Sequence, residues 1–286
     1  MDQKRTIQQR IDNISNIPTL PLVIEKITRL LQNPSTSAEE VGRAITTDQA
    51  IASKVLRLVN SAFYGFPGRI STITHAIVIL GFSTVKNIVL TASIFDFFKN
   101  RGEAHPEFDL EQFWLHSIAC GAASQAIAKY AGYAEKEESF IGGLIHDVGK
   151  IILCQYLPDE LSRVVQQVKN KDSLFYEGEM EVLGMTHQEI GGIVVQRWNL
   201  PKNLQEVVKY HHQPSPTREH FTITSIVHCA DILVRALEVG WGGDVRVPMV
   251  SEAAWQKLGL SNISLSVLLE EIDDEIRKAS TLLQVM

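Results

Sequence analysis

The sequence contains little cysteine and no excess of basic residues. Only three cysteines occur among 286 residues, namely Cys120, Cys154 and Cys229, and no two of them form a CxxC pair. We interpret them as separate buried thiols in a reducing compartment and not as a disulfide or zinc framework. The net charge of −6 disfavours a nucleic-acid partner, because domains that bind nucleic acid usually carry a basic surface.

Targeting signals and long apolar runs are also missing. The N-terminal residues 1–5 are polar and lack the apolar stretch of a secretory signal. The apolar runs are expected to be too short for a bilayer, which requires about 20 apolar residues. We therefore expect a cytoplasmic protein with no membrane partner.

Strand signals are scarce, and neither an Asn-Gly nor an Asp-Gly hairpin turn occurs. Helix starts are frequent instead, since residues 37–40 and 186–189 both match the capping box. The sequence therefore predicts an all-α fold. Helices are predicted over residues 20–32, 38–45, 48–60, 73–80, 84–98, 109–131, 136–156, 158–169, 173–183, 187–198, 202–212, 217–238, 251–258 and 264–284.

The domain organisation is predicted from one polar, irregular stretch at residues 99–107, which is the best candidate for an internal boundary. We predict an N-terminal helical subdomain over residues 1–103 and a helical bundle over residues 104–239. Residues 240–286 are predicted to form C-terminal helices packed on the bundle.

The most informative stretch is residues 140–153. It is apolar apart from its glycines and three polar residues. Its length and composition predict a single buried helix that carries His146, Asp147 and Lys150. Because burial of such groups without partners is costly, they must pair with each other, with other polar side chains or with a metal. Lys150 is placed to hold a phosphate oxygen as a point charge, or alternatively to extend to the surface.

Two further helices carry a polar residue on an apolar face. The neighbours of His116 and of Asp231 at three- and four-residue steps are apolar, so both side chains should point inward. Each has an ordinary explanation: His116 would be a hydrogen-bonded core histidine, and His228 would be the partner of Asp231.

Three more histidines lie at helix ends. His187 falls in the first turn of its helix, where the helix dipole predicts a neutral imidazole that is able to bind a metal. His211 and His212 end the next helix, and adjacent side chains point about 100° apart on a helix. The simplest expectation for this pair is that at least one of the two faces water.

Taken together, these positions indicate a metal centre. Five helices carry histidine or aspartate where core packing would favour leucine, and such ligands suit iron, manganese, zinc or nickel. The set is too large for one metal but fits two divalent metals bridged by a carboxylate, an arrangement typical of phosphoester hydrolysis. We expect iron or manganese, with zinc or nickel as alternatives. The candidate ligands are His116, His146, Asp147, His187, His211, His212 and Asp231.

The motif at residues 144–150, Leu-Ile-His-Asp-Val-Gly-Lys, resembles the signature of the HD superfamily of metal-dependent phosphohydrolases. The longer pattern is similar to the HDOD family, an HD-related output domain of bacterial signalling proteins. This resemblance covers about residues 15–235. It implies an HD-type helical bundle with an N-terminal helical subdomain and a regulatory role, often without catalysis. The matching stretches are Pro18-Thr19-Leu20-Pro21, residues 59–64, residues 76–81, residues 184–191 and Trp198-Asn199-Leu200-Pro201.

The order of the polar residues also resembles the ligand set of the HD-GYP cyclic di-GMP phosphodiesterases. By this resemblance Asp147 would bridge two metals and act in catalysis together with Lys150, which would contact phosphate. One metal would be held by His116, His146, Asp147 and Asp231, and the other by His187, His211 and His212. The sequence departs from that family after His212, where Gly-Tyr-Pro is missing, and at Gln112, where some relatives have glutamate.

Three functions are compatible with these features. The first is a regulatory module that binds metal and acts through signalling protein partners. The second is a metal-dependent phosphohydrolase acting on a nucleotide, a cyclic dinucleotide or another phosphorylated small molecule. The third is a helical scaffold whose polar cluster is vestigial and free of metal.

Overall fold

The structure is a computed structural model that describes residues 35–66, 68–99 and 105–285, together with a few isolated residues before them. Within these residues it is built from helices, and the only β feature is an isolated bridge between His105 and Phe108. The predicted all-α fold is confirmed. The helix predicted over residues 20–32 lies outside the described ranges.

One compact unit comprises Pro18–Arg101 and Arg277–Met286. Its first two helices begin where short polar side chains accept backbone hydrogen bonds, Ser37 from the N–H of Glu40 and Asp48 from the N–H of Ile51. The two helices predicted over residues 73–80 and 84–98 form one element with a break at Gly81, where φ is 83°. The helices of this unit are α1 (Ala38–Thr46), α2 (Gln49–Val59) and α3 (Ile73–Lys99).

Helix α3 corrects the expectation that no apolar run could span a bilayer. Ile73–Ile94 has 22 residues with a mean hydropathy of 1.8, and by length and composition it could cross a membrane. However, 56% of this stretch is buried inside the protein. A core helix meets the same criteria, so this stretch is weak evidence for a membrane span. The cytoplasmic location stays a prediction.

The other compact unit comprises Met1–Ile17 and Gly102–Ile276 and contains every candidate ligand. Helix α13 begins in this unit. The boundaries predicted at residues 103 and 239 stay predictions. The helices are α4 (Leu110–Tyr130), α5 (Lys136–Ile145), α6 (Val148–Tyr156), α7 (Pro158–Lys171), α8 (Phe175–Leu183), α9 (His187–Arg197), α10 (Lys202–Tyr210), α11 (Phe221–Ala236), α12 (Glu252–Lys257) and α13 (Leu265–Val285).

The single helix predicted over residues 140–153 is wrong. Helix α5 ends at Ile145 and α6 begins at Val148, with His146 and Asp147 in the turn between them. The backbone N–H of Lys150 donates to the carbonyl oxygen of Asp147 at 2.9 Å, which closes this turn over three residues instead of four. The break places both chemically important side chains at the meeting point of two helices.

Two glycines allow other helices to approach this turn closely. A Cβ at Gly143 would lie 2.4 Å from the carbonyl oxygen of Cys120 on α4, and a Cβ at Gly149 would lie 2.0 Å from the carbonyl oxygen of His187 on α9. Side chains are excluded at such distances, so only glycine permits this backbone contact. The close approach of α4, which precedes the turn in the chain, brings His116 to it, and that of α9, which follows the turn, brings His187.

Candidate metal centre

The structure brings the seven candidate ligands together in one buried cluster. The side chains of six of them are at most 1% exposed, and only His212 is more accessible, at 7%. At least one of His211 and His212 was expected to face water. His211 is fully buried, and only 7% of the His212 side chain is exposed. Metal binding by the seven residues stays a prediction.

Four side chains form what we define as the inner group, namely His116, Cys120, His146 and Asp231. One potential ligand atom from each lies within 4.8 Å of those of the others. The Nε2 atoms of His116 and His146 lie 3.1 and 3.7 Å from Oδ1 of Asp231. Cys120 was not predicted to belong here, although it lies one helical turn after His116 on the same face of α4.

Three histidines form what we define as the outer group, namely His187, His211 and His212. Their potential ligand atoms also lie within 4.8 Å of one another. The Nε2 atoms of His187 and His211 are 3.3 Å apart. Each group could hold one ion, and a third set within the same distance, His146, Asp147 and His211, overlaps both.

Asp147 lies between the two groups. Its Oδ2 is 3.3 Å from Nε2 of His146, and its Oδ1 is 3.1 Å from Nε2 of His187 and 3.6 Å from Nε2 of His211. Among the described residues, Oδ1 of Asp147 and Nε2 of His146 are buried without a hydrogen-bond partner. Buried polar atoms normally have partners, so these two atoms fit a centre that a cation completes.

Hydrogen bonds fix the orientation of three imidazoles. Nδ1 of His146 donates to the carbonyl oxygen of Gly143 at 2.6 Å, and Nδ1 of His211 donates to that of Val208 at 3.0 Å. Nδ1 of His187 contacts Oε2 of Glu179 at 2.6 Å. Because the carbonyls and the carboxylate accept hydrogen bonds from Nδ1, each Nε2 faces the cluster and can offer its lone pair to a metal when the imidazole is neutral.

Glu179 is a functional residue that the sequence analysis missed. It is fully buried and also accepts the backbone N–H of His187 at 2.8 Å. Burial lowers the pKa of His187, but the carboxylates of Glu179 and Asp147 outweigh it and raise that pKa above its usual value. This shift of the pKa of His187 is opposite in direction to the one expected from the helix dipole, because the two carboxylates favour the protonated imidazole.

Burial and neighbouring charges set the other protonation states. Burial, together with the neighbouring imidazoles, holds the pKa of His211 and that of His212 well below the usual range. Burial would raise the pKa of Asp147 and Asp231, but nearby cationic groups hold both well below the usual value. These are neutral imidazoles and ionised carboxylates, the forms in which such side chains bind metals.

Lys150 does not extend to the surface, so that alternative is wrong. Its side chain is fully buried, and Nζ donates to Oδ2 of Asp147 and to the carbonyl oxygen of Gly242, both at 2.6 Å. Nζ also lies 5.0 Å from the ring centroid of Phe175. Contact with phosphate stays a prediction.

The partner of Asp231 is Arg235 and not His228. Nε of Arg235 donates to Oδ1 of Asp231 at 2.8 Å, while Nη1 donates to Asp244 at 2.9 Å. Nδ1 of His228 donates to the carbonyl oxygen of His211 at 2.7 Å, and its Nε2 accepts the N–H of Ser251 at 2.9 Å. The i,i+4 spacing of Asp231 and Arg235 was a readable signal for an ion pair.

The loop after α11 encloses the centre through residues 241–244. The N–H of Trp241 donates to the carbonyl oxygen of Gln112 at 3.0 Å, and Gly242 accepts from Lys150. Asp244 binds Arg235 and accepts the N–H of Phe175 at 2.9 Å. This segment therefore contributes to the centre, a role that the sequence analysis did not foresee.

A surface pocket of about 590 Å³ adjoins the outer group. His212 forms part of its wall, and the ring of Tyr176 lies 4.8 Å from the His212 ring. The pocket is lined by Tyr176, Glu177, Met180, Glu181, Thr186, Gln188, Glu189, Lys209, Tyr210, His212 and Gln213.

A family model for the HDOD domain matches residues 17–214. The chain belongs to the HDOD family. The matched range contains six of the seven candidate ligands and every residue that lines the pocket, whereas Asp231, Arg235 and the 241–244 loop follow it in the sequence. These later residues complete the centre of this HDOD chain from outside the matched range.

Solved structures of related proteins support the fold. An uncharacterised protein of Treponema pallidum (strain Nichols) is 28% identical over 231 residues, which are 79% of this chain but only 44% of that relative. An HDOD domain protein of unknown function from Geobacter sulfurreducens has a TM-score of 0.82 at 24% identity and covers 100% of this chain and 97% of its own. A Shewanella amazonensis protein described as a phosphohydrolase has a TM-score of 0.71 at 22% identity, covering 96% and 97%.

Proposed function

We propose that this HDOD chain is a regulatory module of a signalling pathway that binds two divalent transition metals and acts through protein partners. The observation that carries this proposal is the enclosure of the centre. The Lys150 ammonium already donates hydrogen bonds to Asp147 and to the carbonyl oxygen of Gly242. The Arg235 guanidinium likewise donates to Asp231 and Asp244. A phosphate group would have to displace these charge-assisted bonds before it could bind either cation.

The donor set suits the proposed metals. The inner group would hold one ion and the outer group the other, with one oxygen of Asp147 directed at each. Tetrahedral bonds of about 2.0–2.1 Å place neighbouring N and O ligands about 3.4 Å apart. The corresponding distances from Asp147 and Asp231 to the nearest histidines range from 3.1 to 3.7 Å. Bound ions would supply the positive charge that the buried carboxylates and lone pairs otherwise lack. Iron or manganese are the first candidates, with zinc or nickel as alternatives.

The test combines metal analysis with an activity panel. The full chain is expressed in metal-supplemented medium, and its iron, manganese, zinc and nickel contents are measured. We expect about two equivalents of metal, and no hydrolysis of nucleotides or cyclic dinucleotides above the level of the D147A variant. A content below about half an equivalent would contradict the proposal and favour a vestigial, metal-free cluster.

A phosphohydrolase is the second candidate, and the pocket at His212 favours it. The volume of this pocket lies in the range of about 300–1,000 Å³ that is typical of small-molecule sites. Its wall carries Glu177, Glu181 and Glu189 against a single cation, Lys209, which disfavours a ligand with several phosphates. Turnover that the D147A variant abolishes would establish this candidate and overturn a purely regulatory role.

A further inference from the structure

We propose that Cys120 is a further protein ligand of the inner ion and binds as a thiolate, which adds one sulfur to the two imidazole nitrogens, the Asp231 oxygen and the shared Asp147 oxygen. The inference rests on the proposed metal centre and names the class of its inner ion, a borderline-soft divalent metal such as zinc. It also assigns a chemical role to a residue that the sequence indicated only as a buried thiol.

The first argument is distance. A metal–sulfur bond of about 2.3 Å and a metal–nitrogen bond of about 2.0–2.1 Å, about 109° apart, place sulfur and nitrogen about 3.5–3.6 Å from each other. The Sγ of Cys120 lies 3.5 Å from Nε2 of His116. That same nitrogen lies 3.1 Å from Oδ1 of Asp231, so sulfur, nitrogen and oxygen surround a common point.

The second argument is an unpartnered atom. Nε2 of His146 is buried, faces the inner group and has no hydrogen-bond partner among the described residues. One potential ligand atom of His146 and the Sγ of Cys120 both belong to the inner group, whose ligand atoms lie within 4.8 Å of one another. A thiol hydrogen-bonded to His116 would leave this nitrogen unsatisfied, whereas a cation at the centre of the four atoms would satisfy it.

The third argument is rigidity. Cys120 lies where α4 and α5 touch, since a Cβ at Gly143 would be 2.4 Å from the Cys120 carbonyl oxygen. The residue is fully buried. Its side chain is therefore held in place by the helix contact that also positions His146, as a ligand on a rigid element should be.

The consequence is a difference in metal preference between the two groups. A thiolate favours zinc and other soft or borderline ions, whereas imidazole and carboxylate alone also accept manganese and iron. Protein side chains alone would enclose the inner ion, as in structural zinc sites, while the outer histidines border a pocket, as in sites that keep an open position.

The test uses Co²⁺ as a spectroscopic probe in the full chain. Thiolate ligation adds a sulfur-to-cobalt charge-transfer band in the near ultraviolet to the weaker d–d bands that any bound cobalt shows. We expect this band in the parent and in C229A, which removes a second fully buried thiol. We expect its complete loss in C120A and in C120S, which preserves the size of the side chain more closely.

The outcomes separate this inference from the proposed function. If the parent binds cobalt by elemental analysis and shows d–d bands without the charge-transfer band, the assignment of Cys120 is overturned and the metal centre stands. Persistence of the band in C120S would overturn the assignment as well. If the parent binds no cobalt, iron, manganese, zinc or nickel, the proposed metal centre itself fails.

Discussion

The inner and outer groups share one carboxylate, yet their surroundings differ. The inner group is at most 1% exposed at every member, whereas the outer group reaches a pocket through His212. The inner group includes a thiol and a carboxylate, while the outer group consists of imidazoles. The turn at residues 146–147 thus contacts both an enclosed inner group and an accessible outer group. We therefore expect an ion in the inner group to be retained tightly and an ion in the outer group to exchange more easily.

The second layer of contacts also differs between the halves. Arg235 donates to Asp231, which withdraws negative charge from the inner group. Glu179 accepts from His187, which increases the electron donation of that imidazole toward the outer group. An ion in the outer group would thus gain a stronger nitrogen donor, while an ion in the inner group would depend on the number and softness of its ligands.

The largest effect is expected from removal of the shared carboxylate. In D147A both halves lose a ligand, so the metal content should fall by most of its parental value. In the metal-free state Nζ of Lys150 would keep only the Gly242 carbonyl as partner, and breaking a buried ion pair in this way typically costs about 3–5 kcal/mol of unfolding free energy. Urea unfolding of the metal-free protein and elemental analysis measure the two effects.

The matched control is D159A, which removes an exposed aspartate from the first turn of α7. Surface substitutions of this kind usually change stability by less than about 0.5 kcal/mol. Equal urea midpoints for D147A and D159A would mean that Asp147 is not a buried partner of Lys150. Asp147 could then not be the carboxylate that the two groups share.

The fold and the clustering of the candidate ligands were predictable because they depend on local signals. The capping residue Ser37 accepts the expected backbone N–H, and buried polar residues at helical spacing marked the cluster. The single helix over residues 140–153 was wrong because apolar periodicity continues through the break. The turn depends on contacts made by Gly143 and Gly149 with remote backbone.

The surrounding layer was less predictable. Glu179 is one of several acidic residues on α8, and only the tertiary approach of α9 distinguishes it from its exposed neighbours. Asp244 lies in a glycine-rich loop, and its contact with Arg235 depends on how that loop returns to the centre. Cys120 is a buried free thiol, as predicted, but its place beside His116 and Asp231 was not foreseen because a thiol on an apolar face is usually an inert core residue.

Two single substitutions, one in each group, test directly whether the groups hold separate ions. H116A removes an inner ligand and H187A removes an outer one, and each should reduce the metal content from about two equivalents to about one. Elemental analysis after extensive dialysis measures the remaining ion, with H75A as the control because His75 is exposed on α3. If either variant loses both ions, the two groups form one cooperative site and the proposed division is wrong.

A smaller effect is expected from E179Q, which leaves the candidate ligands in place. The amide accepts a weaker hydrogen bond from Nδ1 of His187, and loss of such an outer contact typically lowers metal affinity about 10–100-fold. Competition with a chelator should show this loss for the outer ion only. E181Q is the matched control on the same helix, because Glu181 is exposed and pairs with Lys171 at 2.7 Å. An equal loss in E181Q would assign the effect to the charge of the helix and not to the contact with His187.

The smallest effect concerns the path by which an ion reaches the outer group. The ring of Tyr176 lies 4.8 Å from that of His212 at the wall of the pocket, so Y176A should expose His212 without removing a ligand. We expect a chelator to remove the outer ion a few-fold faster from Y176A, with unchanged release of the inner ion, in a stopped-flow or timed dialysis experiment. Y210A shortens another tyrosine of the same pocket, one whose ring contacts Lys209, and should leave both rates unchanged. Faster release of the inner ion in Y176A would show that the enclosed half opens through the same pocket, and accessibility would then no longer distinguish the two groups.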